Sequence, residues 1–191
     1  MTSLKPKKII LLGASTGGPG LIEQIITVLK PPLNASIIIS QHMESHHLHS
    51  FAKRIQRISP FEIIFASESQ ELLNGKIYIL EDTTTLHLKQ GKLFLQKESI
   101  HKGYYHPTID ALFFSASELY RVEIVTYLLS GIGADGAKGM LSLKEANYKT
   151  VAQDENTSIV YGMPKVAFDI GATTDVMSIQ RIMLDVQKEM T

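Results

Sequence analysis

Apolar residues in this chain come in short blocks separated by polar and glycine-rich turns. Three blocks, KKIILL, ASIIIS and VEIVTYLL, are rich in β-branched and aliphatic residues, and each runs into a turn: GASTGGPG at 13–20, QHM at 41–43 and SGIGADGAKG at 130–139. Apolar runs of about five to eight residues between turn signals predict strands buried on both faces. Each turn leads into a segment with helical potential, and strands that alternate with helices predict a parallel sheet. The first strand is expected near 8–12, followed by a helix over about 18–30 that stops before Pro31 and Pro32, a strand at 36–40 and a helix over about 45–58. FEIIFAS (61–67), KIYIL (76–80), TLHLK (85–89) and KLFLQ (92–96) predict short strands, with Asn74-Gly75 and Gln90-Gly91 as turns, so the middle is expected to hold antiparallel pairs. A helix at 108–120 opens with a capping-like Pro-Thr-x-Asp, and a buried strand at 122–130 leads to a helix reaching about Asn147. TVAQ (150–153) is expected as the last core strand, before a short helix around Pro164, the stretch GATTD and a closing helix over about 178–189. The fold expected is α/β: a three-layer, doubly wound, mostly parallel sheet flanked by helices, with an antiparallel β segment in its middle.

Composition narrows the function classes. At 191 residues the chain is most simply one domain, with Lys plus Arg matching Asp plus Glu at 19 each. Nothing in that balance draws it to nucleic acid or to anionic lipid. No apolar stretch approaches the roughly 20 residues of a membrane span, and the opening MTSLKPKKII has no apolar core or cleavage site, so a cytoplasmic protein without membrane insertion is expected. There is no cysteine, which excludes disulfides and thiolate chemistry and leaves only histidines and carboxylates for any zinc site.

The three turns carry Ser15, His42 and Asp135, each where a strand ends. In an open parallel sheet those carboxyl ends share one edge, where ligands bind, so nucleophile, base and carboxylate can meet although far apart in sequence. A serine hydroxyl needs a base within about 3 Å and donors for a developing oxyanion. Gly13, Gly17 and Gly18 permit a sharp turn that exposes the hydroxyl and aims backbone amides at that charge. A phosphate-binding or purely structural loop is the alternative. The spacing G-x-x-x-G-G is not the dinucleotide fingerprint, no G-K-[ST] follows, and the second strand ends in Gln41-His42 where a ribose-binding acid would stand. His42 opens a run with His46, His47 and His49; a helix beginning early enough would put His42 and His46 on one face, as in some zinc sites, whereas a solvated helix face accounts for the last three. With an ordinary pKa near 6.5, a histidine at the strand edge suits general-base work. Asp135 reads either as the carboxylate that orients it or as the N-cap of the following helix.

GASTGGP, QHM, HPTIDALF at 106–113, LLSGIGADGAKGM at 128–140 and AQDENTSIVYGMP at 152–164 together resemble, in order and from about residue 7 to 190, the catalytic domain of the chemotaxis protein-glutamate methylesterases, the CheB type. The resemblance implies hydrolysis of glutamyl methyl esters on the cytoplasmic domains of methyl-accepting chemoreceptors, releasing methanol, often with deamidation of glutamines. It makes Ser15 the nucleophile, His42 the base and Asp135 its orienting carboxylate, with Thr16 beside them, Gly17 in support and the Ile132 amide, where the family commonly has methionine, as an oxyanion donor. It implies no cofactor and no metal. Members usually carry an N-terminal receiver domain; here residues 1–191 are expected to be a single catalytic domain without one, and so without control by phosphorylation in cis. Glu44 stands where the family commonly has proline, Leu80-Glu-Asp-Thr-Thr-Thr85 where it has a Pro-Gly-Gly turn, and His106 where it has arginine. Two other readings stay open: a non-catalytic receptor-binding module of the same fold, and a metal-dependent hydrolase using His42 and His46.

Overall fold

The computed structural model describes residues 6–32, 34–99 and 106–190. The chain runs β1 (Lys8–Ala14), α1 (Gly18–Val28), β2 (Ser36–Gln41), α2 (Ser45–Ile58), β3 (Ile63–Ala66), β4 (Gln70–Glu71), β5 (Ile77–Leu80), β6 (Thr84–Lys89), β7 (Lys92–Lys97), α3 (Ile109–Ser117), β8 (Glu123–Leu128), α4 (Ala137–Glu145), β9 (Lys149–Gln153), α5 (Met163–Asp169), β10 (Asp175–Met177) and α6 (Ile179–Met190). Seven strands form one sheet in the order β10-β9-β8-β1-β2-β5-β3, and each pairing within it is parallel.

Strand β1 lies at the centre because nearly every residue of it is apolar. Alternation divides its side chains between two cores. Ile10 and Leu12 pack with the buried stripes of α1, α2 and α6, while Ile9 and Leu11 pack with those of α3, α4 and α5. All four are fully buried, and burying one such side chain is worth roughly 1.5–3 kcal/mol. The chain lays β2, β5 and β3 on one side of β1, then returns to lay β8, β9 and β10 on the other. Helix α1 after β1 and helix α4 after β8 fall on opposite faces, so a crevice opens at the carboxyl ends of these strands.

The middle of the chain holds the expected antiparallel segment, although not every strand there joins it. Among the described residues only β6 and β7 form a hairpin, through Gln90 and Gly91, both with positive φ as a two-residue primed turn demands. With β4 they make a separate three-stranded sheet. Strands β3 and β5 instead join the main sheet in parallel, because a crossover separates them, and the Asn74-Gly75 turn leads into β5 and closes no hairpin. The last strand of the sheet is β10, not TVAQ; it pairs with β9 through Asp175↔Val151 to Met177↔Gln153. No helix among the described residues is long and apolar enough to cross a membrane.

Candidate active site

The β1–β2 ladder ends at Ala14↔Gln41, and the His42 amide donates to the Ala14 carbonyl at 3.0 Å. Ser15 and His42 therefore each stand one residue past a paired position and lie side by side. On the other flank the Ser15 amide donates to the Ser130 carbonyl at 3.0 Å, which draws the third turn against the first. A Cβ on Gly131 would lie 2.7 Å from the Ser15 Cβ, so only glycine permits that approach. Gly17 is the N-cap of α1 with φ 84°, the left-handed conformation that glycine adopts without strain, and it ends the turn and starts the helix.

His42 and Asp135 meet although 93 residues apart: His42 Nε2 lies 2.7 Å from Asp135 Oδ2. Both side chains are almost wholly buried. Asp135 does not cap α4, whose N-cap is Gly136 and has no side-chain capping bond. It receives the N-terminus of a different helix, α3. Oδ2 accepts the Ile109 amide at 2.8 Å as well as the histidine, and Oδ1 accepts the Asp110 amide at 3.0 Å and the Gly136 amide at 3.0 Å. Helix capping and histidine orientation, alternatives in the sequence, are thus performed together by two oxygens. Burial works against the charged carboxylate, but the hydrogen bonds from His42, Asp110 and Ile109 outweigh it and hold Asp135 below the ordinary carboxylate pKa. Neighbouring Asp110 moves the other way. Burial raises it, and the Asp135 charge adds to the rise, although its Oδ1 accepts the Gly139 amide at 2.7 Å.

The histidine run divides as its placement dictates. Helix α2 begins at Ser45, so His42 lies outside it and shares no helical face with His46. The carboxylate beside His42 is Asp135, and the residues gathered around His46 are Glu44 and His47. Those three are exposed, with potential ligand atoms within 4.8 Å of one another. Thr16 is exposed beside Ser15, and Ile132, in the turn that follows β8, is 58% exposed. The three departures from the family pattern fall on one rim of the crevice: Ser45 beside Glu44 donates its hydroxyl to Glu81, and His106 Nδ1 lies 3.9 Å from Asp82 Oδ1.

Three supporting residues escaped the sequence reading. The buried Gln41 donates from Nε2 to the carbonyls of Ser15, 2.9 Å, and His42, 3.0 Å. Ser130 Oγ donates to the Thr16 carbonyl at 2.8 Å and accepts the Val160 amide at 2.8 Å, while its own amide donates to Gln153 Oε1 at 2.9 Å. The available signal was a polar residue at or just past the end of each apolar strand: Gln41 at the end of β2, Ser130 after β8 and Gln153 at the end of β9.

A seven-stranded parallel α/β sheet with a serine, a histidine and a carboxylate gathered at the carboxyl ends of its central strands has the architecture of a hydrolase. The sequence model of the CheB methylesterase family matches residues 10–186, and the chain belongs to that family. It is 35% identical over 181 residues to protein-glutamate methylesterase/protein-glutamine glutaminase 1 of Carboxydothermus hydrogenoformans, covering 92% of this chain and 53% of that protein. It is 34% identical over 183 residues to the protein-glutamate methylesterase/protein-glutamine glutaminase of Bordetella parapertussis, covering 92% of this chain and 51% of that one. The chain thus spans about half the length of these curated relatives. The crystal structure of the Thermotoga maritima CheB methylesterase catalytic domain superimposes with a TM-score of 0.88 at 29% identity, covering 95% of this chain and 97% of that one.

Proposed function

We propose that this chain hydrolyses glutamyl methyl esters on the cytoplasmic domains of methyl-accepting chemoreceptors, acting in the cytoplasm and releasing methanol. The observation that carries the reading is the His42–Asp135 bond of 2.7 Å beside a serine held one register step from the histidine. Because Nε2 faces the carboxylate, Nδ1 is the base atom, the reverse of the assignment in the chymotrypsin template. Nδ1 takes the Ser15 hydroxyl proton as Oγ attacks the ester carbonyl. Asp135, kept ionised, stabilises the resulting imidazolium. The oxyanion is held by backbone amides of the Ser15 turn, around Thr16 and Gly17, and by that of Ile132. Collapse of the tetrahedral intermediate expels methoxide, which takes the proton from Nδ1 and leaves as methanol. Water then attacks the glutamyl-enzyme with His42 again as base, giving the free glutamate and regenerating Ser15. The same sequence on a glutamine side chain releases ammonia and constitutes deamidation. No step needs a metal or cofactor.

The test is methanol release from receptor membranes carrying radiolabelled methyl esters, with chelator present, comparing wild type and Ser15→Ala. Release by wild type, lowered about 10⁶-fold in Ser15→Ala by analogy with serine proteases, supports the reading. A variant retaining more than a tenth of wild-type turnover would sink it.

A further inference from the structure

Gln41 closes β2 immediately before His42, and only 1% of it is exposed. Its Nε2 spans the two turns whose side chains must exchange a proton, at 2.9 Å from the Ser15 carbonyl oxygen and 3.0 Å from that of His42. The Ser15 carbonyl also accepts the Gly18 amide at 2.9 Å, so the bridge is anchored to the first turn of α1. Turning the amide over would aim an oxygen at two carbonyl oxygens, so the partners themselves settle which end is nitrogen. Oε1 is equally buried and accepts no hydrogen bond among the described residues. Gly18 completes the arrangement: a Cβ there would lie 2.2 Å from Gln41 Oε1 and 2.6 Å from the Ala14 Cβ, so the second glycine of the Gly-Gly pair makes room for this side chain.

We propose that Gln41 is a positioning residue, setting the separation of Ser15 and His42 by holding their carbonyl groups to one donor. The inference rests on the reading of those residues as nucleophile and base. The sheet cannot do this alone, because the β1–β2 register stops at Ala14↔Gln41 and the chain then turns into α1 after β1 and into α2 after β2. Proton transfer requires about 2.6–3.2 Å between heavy atoms, and a displacement of about 1 Å is enough to cost ~10²-fold in rate.

Two variants test this. Gln41→Met keeps the volume and removes the donor; kcat should fall about 10²-fold with KM within about twofold. Hydrogen exchange should quicken at the Gly18 and His42 amides while the amides of β8 and β9 keep their protection. Gln41→Glu can donate only while its carboxyl is protonated, so its kcat should pass through a maximum and decline at higher pH, where wild type stays level. Wild-type turnover matched by Gln41→Met, unchanged exchange at Gly18 and His42, or a Gln41→Glu profile parallel to wild type would overturn the role alone. Absence of methanol from wild type would overturn the reading of the site and the role with it.

Discussion

At the scale of single residues, Asp135 bears the heaviest combined duty, since its four hydrogen bonds serve both the site and the start of α3. Asp135→Asn should therefore lower kcat about 10⁴-fold, by the wrong imidazole tautomer, and also destabilise the fold; activity and urea titration on one preparation check both. A stability loss with normal turnover would leave Asp135 as a helix cap alone. Its depressed pKa fixes the direction of a pH effect. The carboxylate binds its proton less readily folded than unfolded, so its stabilisation is present above the ordinary aspartate pKa of 3.8 and disappears as pH falls through the lower folded value. Asp110, raised by burial, has the opposite sign: its contribution favours the fold at low pH and fades as pH rises through the folded pKa. Acid unfolding of Asp135→Asn should accordingly be flatter with pH than that of wild type, and that of Asp110→Asn steeper, as read from urea midpoints between about pH 2 and 6. That Ser15, His42 and Asp135 were candidates was legible from glycine-rich turns after apolar blocks. Which ring nitrogen faces the carboxylate, and that Asp135 caps α3, was not, because the first depends on a histidine 93 residues earlier and the second on a helix that starts 26 residues earlier.

At the scale of elements, the closing helix shows how the end of the sheet away from the site is secured. Lys149 at the start of β9 reaches Asp185 at 2.8 and 2.6 Å and Glu189 at 3.0 Å on α6; Lys8 at the start of β1 reaches Glu189 at 2.8 Å, and the Tyr127 hydroxyl of β8 donates to Asp185 at 2.6 Å. Burial lowers the Lys149 pKa, but the two carboxylates more than compensate and raise it; burial and Asp185 both push the Tyr127 hydroxyl up. Lys149→Met should cost about 2 kcal/mol, because two partly buried carboxylates lose a charged donor, and exchange should quicken in α6 before it does in β1. Uniform exchange along the chain would show that α6 is not held by this network. Helix α6 itself was legible from its apolar periodicity. Strand β10 was not, since Asp175–Met177 is three residues long, largely exposed, and defined by its pairing with β9. The parallel direction of β3 and β5 was likewise hidden: alternation within a strand says which face is buried and nothing about the direction of its neighbour.

At the scale of the whole molecule, two cores share one central strand. Ile9 and Ile10 are adjacent, fully buried and on opposite faces. Ile9→Ala and Ile10→Ala should each cost about 2–5 kcal/mol, and each should shift a single cooperative urea transition, because neither core can lose β1 independently. Two separate transitions in either variant would show that the faces unfold apart. The rim has a wider consequence as well: Glu44, Glu81, Asp82 and His106 come together from three segments, so the positions that depart from the family pattern form one surface beside the crevice.

By itself, the amino-acid sequence determined the alternation of strands and helices, the buried blocks that become central strands and the three turns that carry the candidate chemistry. Those properties reside in local periodicity and in residue types with special backbone freedom, which short windows contain. Only the tertiary structure decided that β3 and β5 run parallel in the main sheet, that Asp135 sits on α3 as well as on His42, and that Gln41 joins the Ser15 and His42 turns. Each of these depends on groups distant in the chain being brought within about 3 Å, the range over which a hydrogen bond acts, and no local pattern encodes that meeting.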